Sequence, residues 1–262
     1  MKLRWQWLWF WRAAITVIFL VAWEYLPHWG WLHSRVHWVD PFFISSPSRA
    51  YHELEHLFTG THGPSVWPYL ENTLKATFLG TAIGLAIGLV AGAVLSDSPR
   101  LAQIVAPFIT MMNSIPRIAL IPIVVLIVGP TLKASVVSAV LVVTFIAFFN
   151  ALQGGRSVQP HVLQNARLLG ANRWQIMFRV RFPYVLMWTF AALPNAIAFG
   201  LLTVVTTELL TGSRGMGNLV FSATTNVDAT LSVAVVVILS VVGATIVALT
   251  EQLQRRLLHW AD

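Results

Sequence analysis

The sequence contains no cysteine. Disulfide frameworks, thiolate zinc centres, iron–sulfur clusters and cysteine nucleophiles are therefore excluded. Charge is also scarce: 10% of the 262 residues are Asp, Glu, Lys or Arg, where soluble domains carry about 25%. No G-x-x-x-x-G-K-[ST] phosphate loop occurs anywhere, so any ATP bound by such a loop belongs to another polypeptide. Internal repeats and low-complexity tracts are absent too. In their place stands apolar material, 56% of the chain. Lipid accepts such a chain because helices satisfy their own backbone there. Composition thus predicts an all-α, multi-pass membrane protein. The net charge of +7 would raise nucleic acid as a partner of a soluble protein. Here the basic residues lie between apolar runs, so membrane topology accounts for them and no nucleic-acid partner is expected. The 12 tryptophans fit the same picture, since indoles favour the membrane–water interface.

Six apolar runs predict six transmembrane helices. They cover about 13–26, 70–95, 101–128, 132–152, 184–207 and 231–249. The first follows Lys2, Arg4 and Arg12 as a signal peptide would. No small-x-small cleavage site follows, so it reads as a retained helix, lengthened by the Trp-rich stretch from Trp5. Prolines 107, 116 and 122 all fall inside the third run. With both termini cytoplasmic, Lys2, Arg4, Arg12, Arg100, the five arginines of 153–183, Arg255 and Arg256 lie inside. Arg35, Arg49, Lys75, Lys133 and Arg214 lie outside. That asymmetry obeys the positive-inside rule. The chain then divides into an N-terminal helix with an extracytoplasmic loop (1–64), a five-helix membrane domain (65–255) and a short cytoplasmic tail (256–262). In the outer loop, Ser46-Pro47-Ser48 predicts the start of a short helix reaching about Phe58.

Gly80, Gly84, Gly88 and Gly92 recur every fourth residue of the second run. One helix face is therefore nearly bare and predicts close packing on another helix, of this chain or of another. His52 and His56 stand i,i+4 on the short outer helix with Glu53 and Glu55 nearby. The order is not His-Glu-x-x-His, and a solvated loop is the expectation, with no metal.

The polar, basic segment between the fourth and fifth runs carries the most specific pattern. It reads Gln164-Asn165-Ala166-Arg167-Leu168-Leu169-Gly170, then nine residues, then Val180-Arg181-Phe182-Pro183. Gly170 predicts a helix end in the left-handed conformation. A second helical stretch is expected from Asn172, with Pro183 opening the next span. This segment resembles the cytoplasmic signature of binding-protein-dependent ABC importer permeases: Glu-Ala-Ala, three residues, Gly, nine residues, Ile-x-Leu-Pro. Gln164, Asn165, Val180 and Phe182 depart from it, and Gln164 loses the charge of the family's Glu. Ser114-Ile115-Pro116-Arg117-Ile118-Ala119-Leu120-Ile121-Pro122 resembles the P-R-x-A-x-x-P stretch of the nitrate, taurine and alkanesulfonate permeases. The stretch from Glu208 to Gly217, containing Arg214-Gly215-Met216-Gly217, resembles their acidic-then-RGLG turn.

The resemblance spans about residues 65–255 and implies the type I importer fold in a bacterial inner membrane. It implies two ATPase subunits, which would hold ATP and Mg, a second permease copy, giving a homodimer, and an extracytoplasmic solute-binding protein. This chain itself would hold no cofactor and catalyse nothing. Gln164, Asn165, Ala166, Arg167, Leu169, Gly170, Ala171 and Pro183, in the helical segment of about 160–182 and its end, would couple to the ATPase. Asn113, Ser114, Arg117 and Glu208 would line the translocation path. An arginine inside an apolar span faces a cavity, a partner or an interface. Arg117 either draws an anion or holds a gate, or it snorkels from a helix break between Pro116 and Pro122. Glu208 either pairs with a loop arginine such as Arg214 or faces the path. The solute expected is a small anion such as a sulfonate, nitrate or bicarbonate. Alternatives are a neutral or aromatic solute, and more remotely a secondary transporter or a membrane metalloenzyme.

Overall fold

The computed structural model describes residues 2–25, 44–61 and 63–257. The histidines at 28, 33, 37 and 62 lie outside the described residues, as do the side chains of Asn113 and Arg117. Among the described residues every regular element is helical. In order these are α1 (Lys2–Tyr25), α2 (Pro47–Thr59), α3 (Trp67–Asp97), α4 (Pro99–Ser114), a 3₁₀ turn (Arg117–Leu120), α5 (Ile121–Val128) and α6 (Leu132–Arg156). There follow α7 (Pro160–Leu168), α8 (Arg173–Gln175), a π-helical segment (Ile176–Arg181), α9 (Phe182–Ala191), α10 (Leu193–Thr211), α11 (Met216–Thr225) and α12 (Ala229–Leu257). Among the described residues, five helices are long and apolar enough to cross a membrane: 7–25, 67–97, 132–156, 193–211 and 229–256.

The third and fifth runs differ from the continuous spans expected. Pro116 adopts φ −61°, ψ 109°, an extended conformation between α4 and the 3₁₀ turn. Proline offers no N–H, and its ring collides with the carbonyl four residues back, so the helix stops. Pro107 is accommodated inside α4, and Pro122 sits in the first turn of α5, where no donor is required. The fifth run breaks at Ala192, and Pro194 stands in the first turn of α10.

Two compact units form. The first holds residues 1–67 and 219–239, the second 68–218 and 240–262. In the first, α2 begins as its sequence predicts. Ser46 is the N-cap, its hydroxyl accepting from the Arg49 N–H at 3.4 Å, and Pro47 occupies the first turn. Glu24, near the end of α1, accepts from the Ser48 N–H at 3.0 Å and its hydroxyl at 2.7 Å. A carboxylate thereby meets the positive end of α2.

In the second unit α6 is the axis, and the glycine stripe of α3 lies on it. A Cβ on Gly80 would meet the Ala139 Cβ at 2.5 Å, one on Gly84 the Val143 Cβ at 2.8 Å, one on Gly88 the Ala147 Cβ at 2.6 Å and one on Gly92 the Ala151 Cβ at 2.6 Å. Four glycines thus interlock with Ala139, Val143, Ala147 and Ala151 along about 18 Å of helix. The partner of the bare face is in the same chain. Such contact is driven by dispersion and close backbone approach, since lipid supplies no hydrophobic drive between spans. At the far end of α6, Gly154 admits the Trp188 side chain and the Tyr184 carbonyl, and Gly155 admits Ser96. α3 and α9 are both seated on α6 there.

Candidate functional site

The segment between α6 and α9 is an elbow of two short helices. α7 starts at Pro160 and ends in a Schellman motif. The Ala171 N–H reaches the Ala166 carbonyl and the Gly170 N–H reaches the Arg167 carbonyl, both at 3.0 Å. Gly170 has φ +81°. A Cβ there would meet nothing within 4 Å, so backbone conformation and not space demands glycine. Asn172 then opens α8 with a capping box. Its Oδ1 accepts from the Gln175 N–H and Gln175 Oε1 accepts from the Asn172 N–H, each at 2.8 Å. Pro183 can give no N–H to the Arg179 carbonyl. The turn before it is widened, with the Phe182 N–H reaching back to the Met177 carbonyl.

The elbow's outer surface is apolar at its tip. Leu168 is 85% exposed, Leu169 88% and Trp174 71%. Gln164, Asn165, Arg167 and Gly170 are exposed beside them, and Ala166 and Ala171 are half-buried. Isolated exposed leucines are ordinary, but neighbours with this exposure on a basic loop form a surface suited to another protein.

Its inner surface is held by charge that the sequence did not reveal. Asp97, the last residue of α3, receives Arg173 Nε and Nη2 on its Oδ2, each at 2.9 Å. Arg181 lies 3.9 Å from Oδ1 and donates to the Ser96 carbonyl. The available signal was complementarity alone, an acid closing one span and arginines on a loop 76 positions on. Between α3 and the elbow is a cleft of about 450 Å³, lined by Leu89, Val90, Ala93, Val94, Asp97, Arg173, Trp174, Met177, Phe178 and Phe182.

The residues expected along a path fall in two places. Arg117 opens the 3₁₀ turn, and Asn113 lies in the last turn of α4. The Ser114 hydroxyl is exposed and donates to the Thr110 carbonyl at 3.0 Å. Ile115 and Ile118, which flank Arg117 in sequence, border a cavity of about 280 Å³ together with Val142, Phe199, Leu202, Thr203 and Thr206.

Glu208 is elsewhere and is 1% exposed. It accepts from backbone and a hydroxyl, whereas pairing with a loop arginine such as Arg214 was one of the two placements expected of it. Gly217 N–H donates to Glu208 Oε2 at 3.0 Å, and the Thr73 hydroxyl lies 2.9 and 2.8 Å from the two carboxylate oxygens. Thr73 in turn accepts from the Met216 N–H at 2.8 Å. The carboxylate therefore caps the start of α11, where the helix dipole favours negative charge. A Cβ on Gly215 would overlap the carboxylate group. Arg214 instead places its guanidinium 5.5 Å over the Tyr69 ring. On α2, His52 is exposed, 4.0 Å from Glu55, and His56 Nδ1 lies 3.1 Å from the Thr61 hydroxyl. No three His, Asp or Glu side chains converge among the described residues.

Comparison with known proteins bears on this geometry. The model of the family "Binding-protein-dependent transport system inner membrane component" matches residues 84–259. The taurine transport system permease protein TauC of Escherichia coli (strain K12) is 24% identical over 268 residues, covering 99% of this chain and 94% of that protein. The riboflavin transport system permease protein RibX of Chloroflexus aurantiacus is 28% identical over 160 residues, 61% of this chain and 60% of that protein. Among solved structures, a chain of the inward-facing MetNI methionine ABC transporter superposes with a TM-score of 0.62 at 22% identity, over 71% of this chain and 92% of that chain. That last likeness is one of fold.

Proposed function

The chain belongs to the family of binding-protein-dependent transport system inner membrane components, and on that premise we propose that it forms the path for a small anionic solute as one of two identical copies. It is an ABC importer permease, a transport component whose ATP is hydrolysed by a separate subunit. In the proposed arrangement both termini and the elbow of 160–182 lie in the cytoplasm of a bacterial cell, and the α2 loop faces a solute-binding protein outside. Two ATPase subunits grip the two elbows. Their closure on ATP turns the elbows, and the spans reorient to pass solute inward.

The observation that carries the coupling role is the elbow itself. It is a Schellman-capped α7 followed by a boxed α8, with both helix ends closed by local hydrogen bonds, and it exposes Leu168, Leu169 and Trp174. The residues Gln164, Asn165, Ala166, Arg167, Leu169, Gly170 and Ala171 sit on it, and Pro183 joins it to α9. Substituting Gly170→Val forces a β-branched residue to φ +81°, a backbone region that costs such a residue about 1–3 kcal/mol. The variant is expected to fold and insert but to lose most ATPase subunit bound in mild detergent. Undiminished co-purification and ATP-driven uptake would refute the assignment.

An anionic solute is supported by Arg117, fixed at the break of the third run, and by the resemblance of its surrounding stretch to that of sulfonate and nitrate permeases. A neutral or aromatic solute is the second reading. It is favoured by the 280 Å³ cavity, whose described walls are mainly apolar and carry the hydroxyls of Thr203 and Thr206. Thermal-shift screening of the cognate solute-binding protein against taurine, nitrate and heteroaromatic compounds decides between them.

A further inference from the structure

We propose that Asp97 is the pivot on which the elbow turns against α3, a positioning residue that carries motion from one to the other. The proposal rests on the coupling role above and adds where, within this chain, the motion is transmitted. Three independent features meet at this carboxylate.

The first is unequal sharing of charge. Asp97 faces arginines from both ends of the α8–π stretch, accepting from one and lying within ion-pair distance of the other. Arg173 is hydrogen-bonded, with two nitrogens at 2.9 Å from Oδ2, although its side chain is largely exposed. Arg181 is not hydrogen-bonded to Asp97: its side chain is 12% exposed, its Nε lies 3.9 Å from Oδ1, and that Nε is buried with no hydrogen-bond partner. A buried donor left unmade is costly, and charge-assisted bonds are the strong ones. The carboxylate has lone pairs for both arginines. A small rotation therefore completes the second bond without breaking the first.

The second feature is the segment joining the two arginines. Ile176–Arg181 is a π-helix, a geometry with widened turns that occurs mostly as short bulges, frequently at functional sites. Returning such a turn to α-helical register changes the angular relation of Arg173 to Arg181 while leaving the chain connected. The third feature is room. The elbow is tied to α3 at the polar end of the 450 Å³ cleft, and Leu89, Val90, Val94, Met177 and Phe178 line the remainder. Swinging the elbow about Asp97 closes that space and brings Arg181 Nε into bonding range.

The absence of cysteine permits a direct test. Spin labels on Val90→Cys and Phe178→Cys, both exposed residues bordering the cleft, report its width in nanodiscs holding the chain with its ATPase subunits. Nucleotide-free and ATP–vanadate states are compared. The label distance is expected to shorten on vanadate trapping. Adding Asp97→Asn keeps the side chain's size but leaves an acceptor too weak for two arginines, and the nucleotide-dependent shortening is expected to be lost while the ATPase subunits still co-purify. Adding Val94→Trp leaves the ion pairs untouched, fills the cleft, and is expected to abolish the same shift. If the ATPase subunits fail to bind the unsubstituted chain, the coupling role falls and the pivot with it. If they bind and the distance is constant across states, or shortens equally in the Asp97→Asn protein, the pivot alone is overturned.

Discussion

A buried carboxylate invites a functional interpretation, yet the surroundings of Glu208 assign it a structural one in this conformation. It accepts from the Thr73 hydroxyl and the Gly217 amide in the first turn of α11, and the Met216 amide reaches it through Thr73. The Thr73 hydroxyl has a single proton to give, so it bonds one carboxylate oxygen at a time while accepting from Met216. The glycines of the turn serve this arrangement: Gly215 leaves the space the carboxylate fills, and a Cβ on Gly217 would meet the Glu208 Cβ at 2.8 Å. Substituting Glu208→Ala strands the buried Gly217 N–H, which costs about 1–3 kcal/mol, while the Thr73 hydroxyl keeps the Tyr69 carbonyl at 3.1 Å as an acceptor. Glu208→Gln retains the size and an acceptor, and forfeits chiefly the helix-dipole contribution, typically about 0.3–1 kcal/mol. Thermal unfolding in detergent is expected to rank wild type above Gln and Gln well above Ala. Equal midpoints for Gln and Ala would contradict the capping role. Gly215→Ala is expected to behave like Glu208→Ala, because the added methyl group evicts the carboxylate.

Among elements, the α3–α6 contact is the one whose chemistry is most fully written in the sequence. Four-residue spacing of glycines marks a face, and the face is used along its whole length. A Cβ on Gly88 would sit 2.5 Å from the Thr144 carbonyl oxygen, 2.6 Å from the Ala147 Cβ and 2.8 Å from the Phe148 N. Two of these neighbours are backbone and cannot step aside, so Gly88→Ala must part the helices. Overpacking of this kind costs about 1–3 kcal/mol. A fall in the unfolding midpoint is expected for Gly88→Ala, against little change for Ala86→Val on the exposed side of the same helix. Equal midpoints for the two would count against the interlock. The helix breaks were harder to read. Prolines 107, 116 and 122 look alike in a string of apolar residues, yet one is absorbed, one interrupts and one starts a helix. What separates them is position within the helix: Pro122 stands in a first turn, where no donor is required, while Pro116 follows the end of α4 in an extended conformation. Gly170 and Asn172 were legible because their motifs close within a few residues. The Asp97–Arg173 pair was not, because no local rule links residues 76 positions apart.

At the scale of the whole molecule, the charge distribution makes a definite claim about its sense across the bilayer. Moving a basic loop through the membrane is disfavoured, and eleven of the 17 Lys and Arg residues lie in segments assigned to the cytoplasm, five of them in the elbow stretch 153–183. The opposite sense would place the elbow outside, out of reach of any ATPase. It would also place the α2 loop, capped by Glu24 and Ser46, on the cytoplasmic side. A chain without cysteine lets each side be addressed by one substitution. Leu169 on the elbow is 88% exposed and Tyr51 on α2 is 67% exposed. A membrane-impermeant maleimide is expected to label the Leu169→Cys variant in inside-out vesicles and the Tyr51→Cys variant in intact spheroplasts, with little of the converse. Co-expressed ATPase subunits are expected to protect the Leu169→Cys site and leave the Tyr51→Cys site reactive. Labelling of Leu169→Cys from outside would invert the topology and remove the coupling role with it. Correct sidedness without protection would retain the topology and place the ATPase contact elsewhere on the inner face.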